Sequence, residues 1–254
     1  MASSAALCLL VLLAPEQSYE LKYRHEKGVT YRDAAIKSIQ LTLFADGRLV
    51  KFDVETQYDI ERTVIEADRK GPEVERIVVR KFVQIVRKSP EGKKEGTKAL
   101  KSQGKTFVWR REKETWGLYD NEGDVTKKYP NLVVLLRDWR AARLPKTAVA
   151  VGHTWEVSAK TFLETVGQEV PPQVAGKATF RLVAVKEGVA KIAIEFKSSW
   201  RHQKSVLGGT QKGTWLFDLK RGRDIEVTME GGIEVDNGKG GYGKFRSHRA
   251  VTYR

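Results

Sequence analysis

The chain of 254 residues has one cysteine, two methionines, four histidines and seven prolines. A single thiol excludes a disulfide within the chain and any multi-thiolate metal site. His25, His153, His202 and His248 are scattered, and neither H-E-x-x-H nor paired C-x-x-C spacing occurs. The zinc motifs that need that spacing are therefore absent. No G-x-S-x-G is present, so a hydrolase elbow has no nucleophile. Long apolar runs are also missing: Ala5 to Ala14 is ten residues, half of the roughly 20 that a spanning helix needs. Apolar residues at 41% and charged ones at 31% exclude wholesale disorder, which requires a depleted apolar fraction.

Ten residues is the length of a signal-peptide apolar region. Small residues at Ala14 and Ser18 offer cleavage positions, so removal of residues 1–18 and export to the periplasm or cell envelope are expected. No Lys or Arg precedes the run, and the alternative is an apolar N-terminal strand or helix packed in the core. Cys8 sits mid-run instead of behind closing small residues, which argues against lipidation. The processed chain would then be thiol-free, as suits an oxidising compartment.

What is abundant is alternation. Val50, Phe52, Val54, Thr56, Tyr58 and Ile60 face one way and Lys51, Asp53, Glu55 and Asp59 the other, the period of a half-buried strand. Ala190, Ile192, Ile194 and Phe196 repeat it, as do Trp215, Phe217 and Leu219, and Ile225, Val227 and Met229. Turn signals fall at Asp46-Gly47, Glu91-Gly92, Asn121-Glu122-Gly123, Glu187-Gly188, Arg221-Gly222 and Gly231-Gly232. Short turns join antiparallel neighbours, because parallel pairs need long crossovers. The expectation is a mainly β protein: a long, curved, antiparallel meander, half-barrel-like, with one face needing a cover.

Leu132, Leu135, Leu136 and Trp139 follow helical spacing, with Pro130-Asn131 before them and Pro145 after. They predict an amphipathic helix over 131–142; a second short helix is expected near Tyr31 to Ile36. The first helix divides the chain into β-rich halves, 19–143 and 144–254, expected to share one sheet.

Gly238 to Gly243 fits G-x-G-x-x-G, but Lys244 to Arg254 reads as a strand, and a dinucleotide or phosphate loop needs a helix there. The glycines are read as a hairpin loop, and no cofactor or metal is expected.

The net charge is +14. Residues 87–113 hold ten basic residues against three acidic, and after Asp236 come five basic and none acidic. With interleaved aromatics, these stretches nominate Trp109, Trp116, Trp139, Lys244, Arg246 and Arg249 as contacts for a lipid or another anionic envelope component. Export makes nucleic acid the poorer partner. The competing account is that Lys-rich turns keep sheet edges soluble.

Leu144 to Trp155 reads L-P-K-T-A-V-A-V-G-H-T-W, and Gly213 to Gly222 reads G-T-W-L-F-D-L-K-R-G. With the hairpin Phe180 to Phe196 between them, this pattern resembles a group of uncharacterised exported bacterial proteins common in planctomycetes. The resemblance implies no activity and no site residues. The expected architecture is similar to the half-barrels of periplasmic lipoprotein carriers. Two functions compete: a non-enzymatic binder of an apolar or anionic amphiphilic ligand in a cavity under the helix, or a structural or protein-interaction module with a solid core.

Overall fold

The computed structural model describes residues 17–45, 48–68, 71–89, 96–112, 115–136, 140–165, 171, 173–202, 205–236 and 240–253. The expected signal segment, Trp139, and the turns at Asp46-Gly47 and Glu91-Gly92 lie outside the described residues. The strands in chain order are β1 (Ser18–Tyr19), β2 (Thr30–Ala45), β3 (Arg48–Asp68), β4 (Gly71–Ser89), β5 (Gly96–Ala99), β6 (Thr106–Glu112), β7 (Thr115–Asp120) and β8 (Gly123–Asp124). They continue with β9 (Val149–Ala150), β10 (Thr154–Ser158), β11 (Ala175–Lys186), β12 (Val189–His202), β13 (Ser205–Asp218), β14 (Arg223–Asp236) and β15 (Gly241–Tyr253). Two helices, α1 (Pro130–Leu136) and α2 (Ala159–Thr165), and a 3-10 turn (Arg140–Arg143) complete the elements.

Thirteen strands form one antiparallel sheet, ordered β10-β11-β12-β13-β14-β15-β2-β3-β4-β6-β7-β8 with β5 beside β4. Its two ends are different strands, so the sheet is open. The halves meet where β15 pairs β2, from Gly241 opposite Leu43 to Tyr253 opposite Tyr31. At 21 residues, β3 is about 70 Å long at 3.3 Å per residue.

The alternation expected for β3, β12, β13 and β14 sets one face inward. Ala190, Ile192, Ile194, Phe196, Trp215, Phe217, Val227 and Met229 are all buried. The turn between β11 and β12 places Glu187 and Gly188 at φ of 52° and 78°, the left-handed pair that suits a tight hairpin and that glycine adopts without steric cost.

Three expectations are corrected. Tyr31 to Ile36 is strand, part of β2; inward Tyr31, Asp33 and Ala35 are buried, and the inward charge at Asp33 disguised the period of two. Gly231-Gly232 lies inside β14, not at a turn, because an added Cβ at Gly231 would come within 2.2 Å of the Thr210 carbonyl oxygen on β13. The helix expected over 131–142 is α1, ending at Leu136, with a 3-10 turn from Arg140.

Two apolar cores cover the two ends of the inner face. Leu132, Val133 and Leu136 of α1 pack with Tyr58, Ile77, Phe82, Phe107, Trp109 and Leu118. Phe162 and Leu163 of α2 pack with Phe180, Phe196, Trp215 and Phe217. Ser158 caps α2, accepting the Thr161 amide at 3.1 Å. Trp155 stacks on Phe180 at 5.5 Å and donates to the Arg143 carbonyl. Each such buried side chain contributes about 1.5 to 3 kcal/mol. Beneath the described part of α1, Leu132, Val133 and Leu136 pack directly on Phe107, Trp109 and Leu118.

Candidate functional site

The register sorts the inner face into rows that run across the strands. Near one end, Arg249 on β15 neighbours Ala35 on β2 and Tyr58 on β3. The next row is polar: Ser247, Lys37, Thr56 and Gln84. Then follow three apolar rows. Phe245, Ile39, Val54 and Val86 form the first, Gly243, Leu41 and Phe52 the second, and Gly241, Leu43 and Val50 the third. On β14 and β15 these rows are closed, with Ile233, Val235 and Phe245 buried. On β2 and β3 they are half-buried, and Val86 on β4 is 37% exposed. The side chains of Leu41 and Leu43 lie over Gly243 and Gly241, where an added Cβ would approach them to 2.6 and 3.0 Å. The patch is therefore an apolar slope floored by glycine and bounded on one side by Lys37 and its polar row.

Behind the polar row lies a band of buried charge. Asp224 accepts from the Tyr23 hydroxyl at 2.6 Å, Arg143 Nη2 at 2.7 Å, Trp215 Nε1 at 2.9 Å and Arg249 Nη1 at 3.1 Å. Arg143 also lies 4.2 Å from the Trp215 ring centre. Arg249 holds Asp33 through two hydrogen bonds. Burial opposes the Arg249 charge, but Asp33, Tyr58 and Asp224 outweigh it and keep the guanidinium well above its ordinary pKa. Further along, Arg62 pairs with Glu75, which also accepts from Tyr31 at 3.0 Å. Arg223 stacks over Tyr31 and Tyr253. The described buried charges are thus three carboxylates and three guanidiniums, to which part-buried Arg249 and Lys37 add two cations. Burial, then the nearby Arg249, push the Lys37 ammonium down to about 8, with Asp33 opposing.

The outer face is different. Glu195, Lys212, Glu230 and Arg246 stand opposite one another on β12, β13, β14 and β15, an alternating ladder of the kind that stabilises cross-strand pairs. A hydrogen bond from Lys197, and its charge, draw the Glu195 carboxyl below its usual range. A shallow hollow of about 650 Å³ crosses this face between Ile36, Thr214, Thr228, Arg246 and His248.

Of the six nominated residues, Trp139 lies outside the described ones, and the other five are not brought together. Trp109 is fully buried against α1 and stacks on half-buried Trp116 at 5.2 Å, so both serve the core near α1. Arg249 is 12% exposed and held by two carboxylates, Asp33 and Asp224, as a structural cation would be. Lys244 and Arg246 are exposed on the outer face, Arg246 beside Glu230 at 4.0 Å. Among the described residues, no three His, Cys, Asp or Glu side chains gather as a metal site, and no helix is long and apolar enough to cross a membrane.

No protein-family model and no curated protein matches the chain. A solved structure titled "Lipid-protein interactions in lipovitellin" superimposes on 90% of it with a TM-score of 0.54 at 9% identity. The chain spans a quarter of that protein's length, covering 25% of it. OccK1 (OpdK) of Pseudomonas aeruginosa aligns over 87% of this chain and 66% of its own at 8% identity, but with a TM-score of 0.15 it carries no argument. The similarity to lipovitellin is one of fold: a large, open, curved antiparallel sheet.

Sequence reasoning missed Asp33, Lys37 and Asp224. The signal for the first two is legible once β2 is read as a strand: inward positions 33 to 43 are Asp, Ala, Lys, Ile, Leu and Leu, polar at one end and apolar at the other.

Proposed function

We propose that the protein is an exported, non-enzymatic component of the cell envelope that binds the alkyl part of a lipid or related amphiphile. The observation that carries this reading is the half-buried apolar slope of Ile39, Leu41, Leu43, Val50 and Val54 on the inner face, at the margin of the core that α2 covers, against which Ile39, Leu41 and Leu43 pack. Apolar surface left accessible in one contiguous stretch marks a ligand or partner site. The fold shared with lipovitellin, a protein whose structure is titled for its lipid interactions, supports the same class of ligand, and the apolar segment Ala5 to Ala14 supports export. The ligand would lie along this slope, where β2 and β3 leave their inward side chains half-buried.

The test is displacement of a bound apolar fluorophore by decanol, with Leu41→Asp and Leu43→Asp as variants. Saturable displacement that both variants weaken is the expected result. Absence of fluorophore binding to correctly folded protein overturns the reading. The packed clusters around α1 and α2 favour a second reading, a protein-interaction module that uses the same slope against another polypeptide; it predicts no co-purifying lipid in native mass spectrometry after mild extraction.

A further inference from the structure

Independently of the alkyl slope, we propose that the outer face of the sheet carries a groove that binds a linear acidic polysaccharide of the uronic-acid class. Three hollows of about 650, 490 and 520 Å³ adjoin there, the first two sharing Lys212, Glu230 and Arg246 and the last two sharing Thr210 and Gly232. Together they run from Ile36 on β2 to Gly176 on β11. That path crosses the six neighbouring strands from β2 through β15 to β11, about 24 Å at 4.8 Å per strand spacing. The centre of the floor is Gly232, an outward position of β14 with no side chain, where an added Cβ would meet nothing within 4 Å. Lys244 on β15 stands directly opposite it.

Charge complementarity selects the occupant. The middle hollow is lined by Lys212, Lys244 and Arg246 against one carboxylate, Glu230, and such a cluster attracts an anion. Lys212 and Arg246 flank Glu230 on strands that lie about 10 Å apart, and Lys244 is about 7 Å from Arg246 along β15. Cations so widely set suit a chain whose carboxylates are separated by whole sugar rings. A nucleic acid repeats its phosphate every ~3.4 Å along each strand and would press several of them on Glu230 and Glu234. Along the floor, Ser199, Thr210 and Thr214 present hydroxyls, which donate to and accept from the hydroxyls of a sugar. Tyr242, exposed in the row of Glu234, offers a ring face to the C–H side of a sugar. A membrane surface would touch the rims and not reach Gly232.

The experiment titrates the full chain with hyaluronan oligosaccharide by calorimetry, with dextran, polyglutamate and oligodeoxythymidylate as comparison polymers. Wild-type protein is expected to bind hyaluronan with an affinity that falls as salt rises, to ignore neutral dextran, and to bind the other two polymers more weakly. Gly232→Val fills the open floor and is expected to lose about tenfold or more of the affinity, with the thermal melt of the wild type. Lys244→Gln combined with Arg246→Gln should lose about tenfold, the factor of two exposed charge contacts. Leu41→Asp on the inner face should leave hyaluronan binding unchanged, so that loss of the alkyl site and loss of the groove are told apart. No binding of hyaluronan by the wild type, or binding that survives both outer-face changes, overturns the groove. Tighter binding of polyglutamate or of the oligonucleotide overturns the polysaccharide as its occupant.

Discussion

Arg249 grips Asp33 at two points, Nε to one carboxylate oxygen at 2.7 Å and Nη2 to the other at 2.6 Å, across 216 residues of sequence. The pair spans the seam between β15 and β2, where the two halves of the sheet join. Removing one member of a buried pair strands the other, at a cost of about 3 to 5 kcal/mol. Arg249→Met is expected to lose that much in urea denaturation, and Asp33→Leu added to it should recover part of the loss. A double variant no more stable than the single one would show that Asp33 is not the group left stranded.

Asp224 collects four donors from four parts of the chain. Tyr23→Phe deletes one of them and also the acceptor of the Arg143 bond at 2.7 Å. The expected loss is about 1 to 2 kcal/mol, while Asp224→Leu, which strands both Arg143 and Trp215 Nε1, should lose clearly more. Equal losses would contradict the central role of the carboxylate.

Stability should rise with pH above neutrality. Lys37 titrates at about 8 in the folded protein against its ordinary 10.5, so between those values the unfolded chain binds more protons than the folded one. Stability therefore increases as pH climbs through this window. Lys37→Met should be more stable than the wild type near pH 7 and should lack the rise. Denaturant titrations at several pH values read both effects, and a slope unchanged in the variant would place its origin elsewhere.

Two glycines on neighbouring strands should respond unequally to an added methyl group. A Cβ at Gly213 would come within 2.0 Å of the Thr228 carbonyl oxygen, while one at Gly232 meets nothing within 4 Å. Gly213→Ala is expected to cost about 1 to 3 kcal/mol through overpacking, and Gly232→Ala to be near neutral. Thermal melts of the two variants decide the point.

The long alternating runs made the sheet legible, since Ile192, Trp215 and Val227 needed only a period of two to be placed inward. The first turn of α1 was equally plain from Leu132 and Leu136. The candidate site was less so. Lys37 and Asp33 break the apolar alternation of β2, and a polar residue facing inward is indistinguishable from one facing out until a neighbouring strand fixes the register. Arg249 stood out in a basic stretch, but charge counted along the chain says nothing of which face receives it. Its partners, Asp33 and Asp224, lie 216 and 25 residues away. Helix α2 escaped notice because seven residues carry too few turns to display a period.

The pairing of β15 with β2 has a consequence for how the molecule is made. Every other strand of the sheet pairs with one close to it in sequence, so the two halves can zip up as local hairpins while synthesis proceeds. They cannot be joined until β15 leaves the ribosome. Until then β2 and β14 each present an unpaired margin of 16 and 14 residues. Long-range pairing of this kind slows folding and exposes such margins to other chains. The last strand of the sheet in chain order acts as a keystone, and a nascent chain arrested before Gly241 would be two sticky sheets seeking a neighbour.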